Sequence, residues 1–151
     1  MTKSTITRTW VGGLAVFAAG IVASLIGVFL MLAYGGTFTQ LADSTKYDFT
    51  PNMNGFFWVA VGLIAIGGLI AFLGGIVQLA AWIGACFNSY LLPSKAWFAV
   101  LLLGGLLSFF FAPLGFAAML AYVIAGEDGS TYAERHPAMP PQQTGTLAPT
   151  A

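Results

Sequence analysis

The sequence predicts an all-α membrane protein: three transmembrane helices packed through small residues into a bundle, with a polar loop and a disordered proline-rich C-terminal tail. Three observations carry this expectation. The 151 residues are 58% hydrophobic and only 7% charged, against roughly a quarter charged in an ordinary soluble domain, and mean hydropathy is +0.87. Aromatic residues bracket three apolar runs at nearly equal separation, Trp10 to Tyr34, Trp58 to Trp82 and Trp97 to Tyr122. As a helix, each separation measures about 36 Å, which spans a hydrocarbon core of about 30 Å and leaves the rings among the headgroups. Finally, Asp, Glu, Lys, Arg and His are absent from all three runs.

The first helix is expected over residues 9–34. Lys3 and Arg8 ahead of it imitate a signal peptide, but the apolar stretch exceeds the roughly 7–15 residues of a signal h-region, so it reads as a retained span. Gly35 and Gly36 suit its end. Residues 35–54 are rich in Thr, Asp, Asn and Ser without apolar periodicity, and read as a polar connection: a solvated linker with a short interfacial turn, with a docking surface as the other reading.

The second helix is expected over 55–87. Splitting it into two crossings would leave exposed backbone in hydrocarbon at several kcal/mol per group, so a single tilted helix is preferred. Asn88, Ser89, Pro93, Ser94 and Lys95 supply the turn after it. The third helix is expected over 96–125, kinked by Pro113, and residues 126–129 end it. A transmembrane domain over 1–128 is thus followed by a flexible tail over 129–151, where Pro137, Pro140, Pro141 and Pro149 alternate with Gln, Thr, Gly and Ala.

Small residues supply the positive functional signal. Gly13, Gly20 and Gly27 repeat every seven residues, while Ala15, Ala19, Ala23 and Gly27 repeat every four. The second helix carries Ala60, Gly67, Gly74, Ala81 and Asn88 at heptad spacing, beside Gly67, Ala71 and Gly75 at intervals of four. The third offers Gly104, Ser108 and Ala112. Hydrophobicity does not drive helices together in lipid, so such faces matter because they let backbones approach. Gln78 is the conspicuous polar residue: its amide can hydrogen-bond across a helix interface or, near the end of its span, equally reach interfacial water.

Several chemistries are disfavoured. Proton-coupled pumps and voltage sensors usually need ionisable groups at membrane depth, and no phosphate-binding glycine loop is present. Cys86 and His136, each the single residue of its type, assemble no metal site, haem or catalytic triad within the chain. A formal net charge of zero gives no footprint for nucleic acid. The expectation is therefore a non-enzymatic protein without cofactor, partnered by membrane lipid and by other transmembrane subunits or copies of itself. Its role would be that of an accessory or scaffold subunit of a larger complex, with a small homo-oligomeric channel or transporter as the alternative. An inner or plasma membrane location is expected. Lys3, Arg8 and Lys95 outnumber Lys46 and Arg135 across three spans, which places the N-terminus in the cytoplasm and the C-terminus outside.

Overall fold

The computed structural model describes residues 1–40, 47–108 and 110–135. Residues 41–46, Phe109 and the proline-rich stretch from His136 onward lie outside the described residues, so the disorder expected of that stretch falls there. Among the described residues, five helices and two strands follow in the order α1 (Lys3–Tyr34), β1 (Gly36–Gln40), β2 (Tyr47–Pro51), α2 (Gly55–Tyr90), α3 (Ala96–Leu107), α4 (Ala112–Ala125) and α5 (Gly129–Arg135). They divide into two compact units. One is Ser4–Gly84; the other joins Met1–Lys3 to the chain from Ala85 onward.

Among the described residues, α1 and α2 are the two helices long and apolar enough to cross a membrane. Their 32 and 36 residues rise about 48 and 54 Å. In their most apolar windows only 11% and 17% of residues are buried. Leu25, Phe29, Ile66, Leu69 and Phe72 all point outward.

The described parts of the connection between these helices are more regular than its composition suggests. β1 and β2 pair antiparallel, with Phe38 opposite Phe49 and their rings 5.1 Å apart. The Gly36 backbone lies against the Phe49 ring and the Thr50 carbonyl, so a Cβ there would stand 2.5 Å from both. Asn52 N–H extends the ladder by donating to Gly35 O at 2.8 Å. A two-stranded hairpin is marginal by itself; here Asn54 fastens its base. The Asn54 side chain accepts from Phe57 N–H at 2.9 Å, capping α2, and donates to Tyr34 O at 3.0 Å, closing the end of α1.

The second unit contains the main correction. The helix expected over 96–125 is two helices, α3 and α4, of 12 and 14 residues. They rise about 18 and 21 Å, and neither crosses a core of about 30 Å. Pro113 is the local reason. It has no N–H to donate back along a continuous helix, whereas in a first turn that loss costs nothing, and it occupies the first turn of α4 after an extended Phe111.

α3 and α4 then pack against each other in antiparallel sense. The Gly104 backbone meets Ala118, the Gly115 backbone meets Ser108, and the Trp97 and Tyr122 rings lie 6.2 Å apart. The third aromatic pair therefore closes one end of a hairpin instead of marking two membrane faces. Residues 129–135, grouped by sequence with the tail, form the short helix α5.

Candidate functional site

Two arrangements concentrate the close packing and the polar chemistry of the described residues, one in each unit. In the first unit, a glycine seam joins α1 to α2. Gly13 lies against Val77 and Gln78, Gly20 against Gly67 and Ala71, and Gly27 against Ala60 and Ile64. From the other side, Gly67 meets Gly20 and Ser24, and Gly74 meets Gly13 and Phe17. A Cβ on Gly27 would stand 2.9 Å from Ala60 O, and one on Gly67 would stand 2.7 Å from Gly20 O. The backbones touch where these side chains are missing.

The other small residues singled out by sequence divide according to helical face. Ala81 is fully buried. Ala15 and Ala19 point outward and Ala23 is half-buried, because the four-residue ladder diverges from the seven-residue one as it winds around α1. Gly75 is half-buried, yet a side chain there, as at Gly12, Gly62 or Gly68, would extend into open space. Beside it an apolar groove of about 380 Å³ is lined by Phe17, Ala71, Phe72, Gly75, Ile76 and Leu79. Gln78 presents its Cγ and backbone N to Gly13. A polar link across the seam runs from Ser24 Oγ to Ile64 O at 3.4 Å.

In the second unit, Asn88 is the centre of a polar corner that sequence reasoning treated as turn chemistry. It lies in the last turns of α2 and is 2% exposed. Its amide nitrogen donates to Met1 O and to Asp128 Oδ1, each at 2.9 Å. Its amide oxygen accepts from Tyr122 Oη at 2.8 Å and from Gly129 N–H at 2.9 Å. All four hydrogen-bonding positions of the amide are filled.

Asp128 completes the corner. Its Oδ2 accepts from Lys3 N–H at 3.1 Å, at the start of α1. Its Oδ1 accepts from Ser130 N–H at 3.1 Å and Ser130 Oγ at 2.8 Å, at the start of α5. One carboxylate thus serves the N-terminal turns of two helices, where unpaired N–H groups and the helix dipole favour negative charge. Burial pushes the Asp128 carboxyl up, but hydrogen bonds from Asn88, Ser130 and the Lys3 backbone outweigh it and hold the group below its ordinary value. The Lys3 ammonium donates to Gly126 O at 2.6 Å and lies 6.0 Å from the Tyr122 ring centroid.

Asn88 was visible in sequence as the last member of the heptad from Ala60 to Ala81. An amide ending a run of small packing residues is the signal that could have found it. Asp128 and Lys3 carried no comparable pattern.

Chemically, the corner binds helix ends to one another, with the Asn88 amide fully paired and the buried Ser89 hydroxyl beside it without a partner among the described residues. The seam is hydrocarbon and backbone. Among the described residues, no group of three His, Cys, Asp or Glu side chains is placed to hold a metal ion. Comparison of the chain with protein-family models, with curated proteins and with solved structures finds no match.

Proposed function

We propose that this is a non-catalytic integral membrane protein acting as an accessory or scaffold subunit that packs against a larger membrane complex. The observation that carries the reading is a second set of small residues left open after the first is used. The seam consumes Gly13, Gly20, Gly27, Gly67 and Gly74, while side chains added at Gly12, Gly68 and Gly75 would meet nothing, and Ala15 and Ala19 face outward. Small residues lower helix propensity or forgo lipid contact without return unless another backbone approaches. The outward apolar surfaces of α1 and α2 support residence in a bilayer.

The channel alternative gains nothing from the geometry. Ser24 and Gln78 both lie at the seam, where the helices touch. Ser24 already donates to a backbone carbonyl.

Purification from native membranes in mild detergent, with cross-linking beforehand, tests the proposal. A stoichiometric transmembrane partner is expected, and Ala19→Leu should deplete it while leaving the protein membrane-bound. A chain that runs alone after cross-linking would refute the reading.

A further inference from the structure

We infer that α3 and α4 form a re-entrant hairpin immersed in one lipid leaflet, so that the C-terminal segment leaves the membrane on the side where the N-terminus lies. The inference rests on membrane residence as proposed above but not on the presence of a partner complex.

Length gives the first reason. Helices rising about 18 and 21 Å match half a hydrocarbon core, about 15 Å, plus the adjoining headgroup layer of about 5–7 Å. Pairing gives the second. Trp97 stands beside Tyr122 at the mouth, while Ser108 meets Gly115 near the tip, so the chain returns to the level at which it entered. Interfacial aromatics belong at that level, and charged residues appear immediately beyond it: Lys95 before α3, then Glu127 and Asp128 after α4.

The tip is built for hydrocarbon. No charged residue occurs from Ala96 to Gly126, and Phe110 is 88% exposed, with Leu103, Leu106 and Phe111 also outward. Backbone in lipid must find partners within the protein, and four N–H groups around this turn have them. Ser108 N–H donates to Gly104 O at 3.0 Å, Phe110 and Phe111 N–H donate to Leu107 O at 3.0 and 2.9 Å, and Leu114 N–H donates to Phe111 O at 3.0 Å. The Ser108 hydroxyl is occupied by Gly105 O at 2.6 Å. Pro113 has no N–H that would need a partner.

The mouth is tied to the end of α2 and to the N-terminus. Tyr122 and Gly129 donate to Asn88, Asn88 donates to Met1 O, and Asp128 accepts from Lys3. With two crossings in place of three, Lys3, Arg8, Lys95 and Arg135 share one side against Lys46 on the other. The positive-inside rule then places both termini in the cytoplasm.

Single-cysteine labelling with a membrane-impermeant maleimide tests this in the full chain carrying Cys86→Ala. Inverted and right-side-out vesicles are compared for Ser4→Cys, Ala133→Cys and Thr39→Cys, each exposed, with Glu134→Cys as a second reporter for α5. Ser4→Cys, Ala133→Cys and Glu134→Cys should label in inverted vesicles and Thr39→Cys in right-side-out ones. Phe110→Cys should label in neither until detergent is added. Labelling of α5 and Ser4→Cys from opposite sides would overturn the hairpin, as would labelling of Phe110→Cys in intact vesicles. Release of the unsubstituted protein by alkaline carbonate would instead overturn membrane residence itself.

Discussion

Replacing Asn88 by Ala removes four hydrogen bonds at once, and the four partners do not suffer equally. Met1 is exposed, so its carbonyl rehydrates; Asp128 Oδ1 keeps both bonds from Ser130. The Tyr122 hydroxyl and the Gly129 N–H have buried bonds to Asn88 and are left without them. At about 1–3 kcal/mol for each orphaned buried group, the corner should loosen by about 2–6 kcal/mol. The lower figure corresponds to roughly a thirtyfold change in an opening equilibrium. Hydrogen exchange of the purified protein in detergent reads it as lost protection over the last turn of α4 and over α5. Tyr122→Phe alone should cost about 0.5–1.5 kcal/mol, because Asn88 keeps Gly129. In the Asn88→Ala, Tyr122→Phe double variant the orphaned hydroxyl no longer exists, so the combined loss should fall short of the sum of the two. A protection change below about threefold for Asn88→Ala, with strictly additive variants, would show that the network does not hold the corner.

Three further outcomes are expected. Gly20→Leu drives a side chain into the backbones of Gly67 and Ala71 and should separate α1 from α2, lowering the thermal midpoint of the purified protein, while Ala19→Leu on the outward face should leave that midpoint nearly unchanged. Asn54→Ala removes the cap of α2 together with its bond to Tyr34 O, a loss of about 0.5–2 kcal/mol, visible as faster exchange at the Phe57 amide and in the strands beside it. Because the Asp128 carboxyl is held below its ordinary value of 3.8, its contribution is present above that pH and is lost as pH falls through the lower folded value. Protection of α5, corrected for intrinsic exchange, should therefore be level at neutral pH and decline below about pH 4, and Asp128→Asn should abolish that dependence.

Much of the first unit was legible because long apolar helices packed through small residues show their periodicity in the chain. Heptad glycines at 13, 20 and 27 and small residues at 60, 67 and 74 can share a seam only if two helices run against each other, and those positions are where the backbones meet. The strands were missed although Thr37, Phe38 and Thr39 alternate, as do Tyr47, Asp48 and Phe49. A five-residue alternation is weak beside a run of polar residues, and its stability depends on a cap supplied by Asn54 from outside the hairpin. Asn88 was misread for a related reason. Its role depends on Tyr122, Asp128, Gly129 and Met1, all distant in sequence, and no local period encodes such a meeting.

The third apolar run shows why length and aromatic spacing cannot by themselves distinguish a crossing from a hairpin. Trp97 and Tyr122 are separated almost as Trp10 and Tyr34 are, since a hairpin of two short helices consumes as many residues as one long helix. The arrangement of small residues differs between the two cases. A helix that packs on a neighbour repeats them in one direction along one face, as Gly13, Gly20 and Gly27 do. A run that packs on itself must mirror them about its turn, and Gly104 with Ala118 and Ser108 with Gly115 are nearly symmetric about Phe111. Proline has its least costly position just beyond that centre, in the first turn of the returning helix, where Pro113 stands. In this run the mirrored small residues and the proline just past the midpoint both accompany the break between α3 and α4.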